Sequence, residues 1–460
     1  DRIRSRGLGD VYKRQMERGV FSSRLAFVLA ASGSAVGLGN IWGFPTNATE
    51  NGGAAFLLMY LILAFLLAYP ALMAELIIGR HTRSNMVNAL TEISSNKTIK
   101  YFGRGVGIAG MVTAGLILSF YAIVAGWMIA HMLEPITKSF STELSGWLVS
   151  NDLSRNIVLC GCFSLFTALI ISKGVENGIE KWSTRLMPAL FVLMALLIIY
   201  VLFQKGAIEG LKHYLVPDFN QLSDSNLIVN AMGQAFFSMS LGVGTMLIYG
   251  SYIRSDENLP EVGILVTLAD TGVAFLAGLL ILPALFVAQE YGVSIYNDVG
   301  NLIAGPNLIF QVLPALFESM GTSGLLIAFI FFLLMSIAAI TSSISMLEVP
   351  VSYVVEEFKV KRQNATYIIS SIIFSISVII CLNFESLFSF VITLTTERAQ
   401  PLLGALICIF AGWVFSRNKI LTEIKNGNDN AEHGVFWKIW PSYVKFVCPV
   451  LILIIFTQTI

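Results

Sequence analysis

Two glycine-interrupted runs carry the chemistry available to this chain: Gly33-Ser-Ala-Val-Gly-Leu-Gly-Asn40 and Ser240-Leu-Gly-Val-Gly244. Each falls in the middle of an apolar stretch long enough to cross a bilayer. A helix broken at that depth leaves backbone N–H and C=O groups without partners, and lipid cannot supply them. Such a break is tolerable where the freed groups line a cavity and bind something polar. The half-helix that restarts after the first break aims the amides of Leu38 and Gly39 into that cavity, which suits an anion. Reversible binding of a polar solute is the chemistry expected. No exposed catalytic constellation accompanies it, so the chain does not read as an enzyme.

The elements that hold these breaks are helices. Hydrophobic residues make up 55% of the chain and charged residues 13%, with a mean hydropathy of +0.74, which excludes an ordinary soluble domain. Eleven stretches reach the roughly 20 apolar residues a spanning helix needs. The fold class expected is all-α, a polytopic membrane protein with eleven transmembrane helices. Residues 16–460 form one transporter-like domain, and 1–15 read as a non-native leader ahead of Met16. The interrupted helices are the first and the sixth. Five helices separate them, so the second half crosses the membrane in the opposite sense. That pattern is a 5+5 inverted repeat, about 22–203 and 229–415, with an extra helix at about 440–459.

Formal charge is zero, but its distribution is lopsided. With the N-terminus inside, inner segments carry 23 of the 29 Lys and Arg, and only Lys138, Arg155, Lys205 and Lys212 fall in outer loops. Positive loops face the cytoplasm. The chain is therefore placed in the inner (plasma) membrane with a cytoplasmic N-terminus and its C-terminus outside. The basic loops face anionic lipid and are not nucleic-acid patches. Cys160, Cys162, Cys381, Cys408 and Cys448 all lie in apolar segments and are expected as free thiols.

The run Arg24-Leu-Ala-Phe, then Gly33 through Asn40-Ile-Trp-Gly-Phe-Pro45, then Glu50-Asn-Gly-Gly-Ala-Ala-Phe56, resembles the neurotransmitter:sodium symporter family. Gly233-Gln-Ala-Phe-Phe-Ser-Met-Ser-Leu-Gly242 and Thr341-Ser-Ser343 match it too. The likeness runs in order from about Arg18 to the C-terminus, and eleven helices resemble the bacterial amino-acid branch. It implies a sodium-coupled symporter that takes up amino acids by alternating access. In the family's pattern the amides of Leu38 and Gly39 and the hydroxyl of Tyr121 would hold a carboxylate. Carbonyls of Ala35, Phe237, Ser238 and Ser240 would hold the ammonium, and Gly37 and Gly39 would let ligand approach the backbone. Ile117, Val243, Ser342 and Met346 complete a pocket without acid or base, which favours large hydrophobic or aromatic L-amino acids.

Two sodium ions are implied as well, both hard cations that take oxygen ligands. The first would sit among Ala35, Asn40, Ser238, Asp270 and the substrate carboxylate. The second would sit among Gly33, Val36, Ala338, Thr341 and Ser342, the last three on one helical face at i, i+3 and i+4. Read alone, the glycines could serve close helix packing and the hydroxyls could bond back to their own helix. Asp270 stands where many relatives carry Asn. Tyr60, Gln234 and Ser238 match chloride-site positions, with Ala274 at a place otherwise polar. A fixed carboxylate at 270 supplies the negative charge, so no chloride requirement is expected.

The resemblance also maps gates. Arg18 and Glu356 form the inner ion pair, and Phe21 replaces a tryptophan. The outer arginine is Gly43 and its acidic partner Ile392, which leaves Tyr121 and Phe237 as the lid. Gly178 and Pro188 mark a release path toward the second sodium site, and Glu397 with Arg398 sits near mid-membrane in the tenth helix. Rival readings are a proton-coupled amino-acid carrier of the same architecture, or an amino-acid-binding receptor that does not transport. Intact Thr341 and Ser342 favour sodium.

Overall fold

Side-chain caps start several of the helices where the apolar runs begin. Ser23 accepts the Ala26 amide at 3.2 Å, Asn96 the Thr98 amide at 2.9 Å and Asp224 the Asn226 amide at 2.9 Å. The computed structural model describes residues 19–458 apart from positions 139, 151 and 299. Its spans are α1 (Arg24–Ala35 and Gly39–Glu50), α2 (Ala54–Thr82), α3 (Lys97–Thr137), α4 (Leu153–Ile171), α5 (Val175–Leu202) and α6 (Ser225–Ser238 and Thr245–Gly250). They continue as α7 (Leu259–Glu290), α8 (Thr322–Phe358), α9 (Arg362–Leu382), α10 (Phe384–Val414) and α11 (Val435–Gln458). Among the described residues the only β pairing is a single bridge, Tyr296 to Leu302.

Eight of these spans are long and apolar enough to cross a bilayer as unbroken helices. Of the other three, α1 bends by 55° at its break, and α10 turns by 99° into a surface helix, Arg417–Lys425. α6 is two short pieces joined by the unwound stretch 239–244. The interrupted spans are thus the first and sixth. The last span begins at Val435, a little earlier than its hydropathy suggested.

Away from the two breaks and the Gly178–Pro188 stretch regular α-helix is expected in the spans, and π-helical turns depart from regularity. Among them are Gly39–Gly43 in α1, Val175–Glu180 in α5 and Thr393–Ala399 in α10. Such turns shift the register of everything that follows. In α10, Glu397 and Arg398 stay on the exposed side with Leu394 and Leu402, while Gln400 and Pro401 face inward.

The breaks lie at the centre of the bundle. α8 packs along α3 and touches α1, and α5 and α7 close around the first half of α1. On the side carrying the basic loops, Arg80 and His81 of α2 reach Glu423 of the surface helix at 3.1 and 3.0 Å. On the opposite side, short helical turns at Gly305–Ser319 fold over the bundle.

Candidate functional site

In α1 the α-helix stops at Ala35, Val36 is extended (ψ 98), and a π turn resumes at Gly39. The freed Leu38 amide donates to the Tyr121 hydroxyl at 3.4 Å, and the Gly37 amide to Asn40 Oδ1 at 3.2 Å. Position 37 has no room for a side chain. A Cβ there would run into Ser342 Oγ and come within 3.0 Å of the Tyr121 hydroxyl.

The α6 break is made by left-handed residues: Ser240 at φ 53, Gly242 at φ 87 and Gly244 at φ 81. For serine that conformation costs roughly 1–3 kcal/mol and needs support from its surroundings. Support comes from Ser240 Oγ, which donates to the Ser34 carbonyl at 3.1 Å, and from Thr245 Oγ, which donates to the Ser240 carbonyl at 2.7 Å. The two breaks are thereby tied directly together.

All twelve residues assigned to substrate from the family pattern line one central cavity of about 40 Å³, and Gln400 is the single addition. At its first edge, Asp270 is fully buried. Its carboxylate accepts Asn40 Nδ2 at 2.7 Å, Ser238 Oγ at 2.9 Å and the Tyr60 hydroxyl at 3.2 Å. Three of the residues mapped to the first sodium are thus in mutual contact, and Ala35 shares the cavity with Ser238. At the other edge, Ser342 Oγ lies 3.4 Å from the Gly33 carbonyl and 3.3 Å from that of Val36. Thr341 Oγ lies 3.0 Å from the Ala338 carbonyl. These oxygens form a neutral, hard donor set that fits a small monovalent cation.

Residues 18–156 and 149–460 match the profile of the Sodium:neurotransmitter symporter family. The chain belongs to that family. It is 32% identical to the uncharacterized sodium-dependent transporter YhdH of Bacillus subtilis (strain 168), over 96% of this chain and 97% of that one. A sodium-dependent transporter of Haemophilus influenzae is 31% identical over 96% of this chain and 98% of its own length. The crystal structure of MhsT in complex with L-phenylalanine is similar at 35% identity and a TM-score of 0.82, covering 96% of this chain and 100% of that one. This protein is accordingly a sodium-dependent transporter, not an enzyme.

Some features of this symporter were not legible from its motifs. Glu75, buried in α2, accepts the Gly242 amide at 2.7 Å and the Leu247 amide at 3.1 Å, and so satisfies donors that the α6 break releases. A lone acid inside an apolar span was the available signal. Beneath the cavity, the Tyr252 hydroxyl donates to Glu348 Oε1 at 2.5 Å, and Arg362 pairs with the other oxygen of that buried carboxylate. Arg362 Nε also donates to the Ile171 carbonyl at 2.8 Å. Phe21 caps this network, buried against Tyr249 and Tyr252, and Ser22 binds the Glu180 carboxylate.

Of the assigned inner pair, Arg18 lies outside the described residues, and Glu356 accepts the Asn85 amide at 2.9 Å and its side chain at 2.8 Å. Along the assigned release path, α5 stays wound: Gly178 is buried in the π turn against the Ile170 carbonyl, and the helix continues through Pro188. Its neighbour Met187 packs against Gly33.

The side opposite the basic loops is closed by aromatic rings. Phe310, from the folded 305–319 stretch, sits edge-on to Trp42 at 5.7 Å and to Trp127 at 5.6 Å, and Trp127 meets Phe388 at 5.7 Å. Trp127 lies six residues beyond Tyr121, about 9 Å of helix rise. Beyond the rings a larger cavity of about 1130 Å³ opens, with Trp127 and Phe310 in its wall.

Proposed function

We propose that this symporter takes up large hydrophobic or aromatic L-amino acids together with two sodium ions, by alternating access and without chloride. The observation that carries the reading is the shared α1 break. Its residues Ala35, Gly37, Leu38 and Gly39 line the cavity for a zwitterion, Asn40 joins Asp270 and Ser238 on one side, and Gly33 and Val36 face Ser342 on the other. One unwound piece of backbone then serves ligand and both cations, which couples them. The substrate carboxylate, next to Leu38 and Tyr121, would be a ligand of the first ion.

Asp270 supports chloride independence. Its carboxylate already takes the Tyr60 and Ser238 hydroxyls, and Gln234 Nε2 donates to the Gly39 carbonyl at 2.7 Å. The donors that would hold a chloride ion are therefore engaged. The apolar walls Ile117, Phe237, Val243 and Met346 support an apolar or aromatic side chain. A 40 Å³ space takes only a few waters, so binding must push these walls apart, and Met346 is a flexible one. Across the two inverted repeats, residues 22–203 and 229–415, the bundle of α1, α2, α6 and α7 would rock against the rest. Arg18 with Glu356 would close the inner side, and unwinding at Gly178 and Pro188 would release the second ion. The basic loops support a cytoplasmic N-terminus and a C-terminus outside the plasma membrane.

Two sodium ions with a neutral zwitterion carry two charges inward, worth about 4.6 kcal/mol at 100 mV. Uptake into proteoliposomes tests the whole reading. Labelled phenylalanine or tryptophan should accumulate with sodium outside, faster with a negative interior, and equally in chloride or gluconate. Accumulation with potassium in place of sodium would sink it.

A further inference from the structure

Of the residues lining the central cavity, Gln400 alone comes from α10. It directly follows the π turn Thr393–Ala399 and precedes Pro401. The turn redirects the helix so that Gln400 faces in, although Glu397 and Arg398 just before it face out. Its placement is tightly defined. The unwound stretch of α6 lies against α10 here, so close that a Cβ on Gly242 would run into the Gln400 carbonyl oxygen.

Gln400 is 2% exposed, and its side-chain oxygen has no hydrogen-bond partner. A buried acceptor in that state is destabilising, and native structures rarely leave one unanswered. None of the cavity's own walls answers it. Ile117, Phe237, Val243 and Met346 are apolar. The Ser240 hydroxyl donates to Ser34, and the Ser342 hydroxyl faces the carbonyls of Gly33 and Val36. A ligand that carries a donor would answer it.

We infer that Gln400 is a specificity residue, whose side-chain oxygen accepts a hydrogen bond from a donor on the substrate's side chain. The donor that fits is the indole N–H of tryptophan, since the remaining walls call for a large aromatic surface. Phenylalanine or leucine would fill the apolar part and leave the acceptor buried and unpaired. A site built around a polar group discriminates strongly against ligands that cannot satisfy it. The inference rests on the cavity being an amino-acid site.

The test is sodium-dependent binding of tryptophan, 1-methyltryptophan and leucine to the purified full-length chain, unmodified and as Gln400→Met. Methylation removes the indole donor, and methionine removes the acceptor at similar volume. The unmodified chain should prefer tryptophan over 1-methyltryptophan by about tenfold or more, and Gln400→Met should shrink that preference to about twofold. The tryptophan-to-leucine ratio should fall with it. A methyl penalty of the same size in both forms would indicate a steric clash and overturn the inference. Equal losses for all three ligands would overturn it too, as the mark of a packing role.

Should Gln400→Met fail to fold, Gln400→Leu replaces it. Equal affinity of the unmodified chain for tryptophan and its methylated form is decisive against the idea without any variant. Sodium-dependent leucine binding with no tryptophan preference defeats Gln400's role alone. Absence of sodium-dependent binding for every amino acid defeats the amino-acid reading itself.

Discussion

The Glu75 carboxylate takes the Gly242 amide at 2.7 Å, so a side chain from α2 holds open the unwound stretch of α6. Its second oxygen takes the Leu247 amide at 3.1 Å, one turn into the resumed helix. Glu75→Gln keeps the size but turns one acceptor into an NH2 group facing a donor. A buried amide left unpaired costs about 1–3 kcal/mol, so ligand affinity should fall about tenfold or more. Equilibrium binding of labelled tryptophan or phenylalanine checks this, and unchanged affinity would show that the break supports itself.

Gly37 meets the opposite constraint. A methyl group there would collide with Ser342 Oγ and crowd the Tyr121 hydroxyl at 3.0 Å. Both groups are buried among α3 and α8, so neither can retreat cheaply, and overpacking of this kind costs about 1–3 kcal/mol. Gly37→Ala should weaken substrate by about tenfold to a hundredfold while the purified protein keeps its melting temperature within a few degrees. A binding-competent Gly37→Ala protein would mean that the cavity is looser than drawn.

Thr341 offers a cleaner handle on the second cation set, because its hydroxyl faces the Ala338 carbonyl and its side chain does not line the substrate cavity. Thr341→Val preserves shape and deletes one oxygen. An oxygen that contacts a charge contributes about 1.5–3 kcal/mol, so the sodium concentration for half-maximal uptake should rise about tenfold or more. Substrate affinity at saturating sodium should move far less. Sodium titrations of uptake at fixed substrate read both quantities.

Asp270 provides the ionic test. Asp270→Asn removes the carboxylate that engages Tyr60 and Ser238, leaving two hydroxyl donors turned toward the vacated charge. An added anion then becomes favourable where it was redundant. Uptake by Asp270→Asn should be low in gluconate and rise with chloride, whereas the unmodified chain should respond to neither change. Indifference to chloride in the variant, with sodium-driven uptake retained, would separate Asp270 from charge balance.

Much of this arrangement could be read from the chain because its strongest signals are local. The two glycine runs marked the breaks, since only a cavity explains freed backbone in an apolar span, and the 341–342 hydroxyls fell on one helical face. Residues that meet only in three dimensions stayed hidden. Glu75 looked like an isolated acid, and nothing in its neighbourhood named Gly242 as its partner. Glu348 and Arg362 sit on different spans, and neither belongs to a short motif. Gln400 was masked by the π turn before it, because a regular 3.6-residue period gives no hint of that shift in register. The helical turns around Phe310 stayed hidden too, since a short amphipathic stretch there carries little periodic signal.

The inner closure can be tested through Glu348. Its carboxylate is fully buried and held by the Tyr252 hydroxyl and the Arg362 guanidinium, under the ring of Phe21. Arg362→Ala strands a buried charge, a change that costs about 3–5 kcal/mol when a paired ion loses its partner. The cheapest relief is for water to enter from the side that carries the basic loops, which requires Phe21 and the end of α6 to lift. Hydrogen exchange at residues 21–25 and 249–253 should therefore accelerate strongly in Arg362→Ala, with little change around the Glu75 contact. Combining Glu348→Gln with Arg362→Met removes both charges and should restore slow exchange. If the single and double variants exchange alike, closure depends on packing around Phe21, and the ion pair is incidental to it.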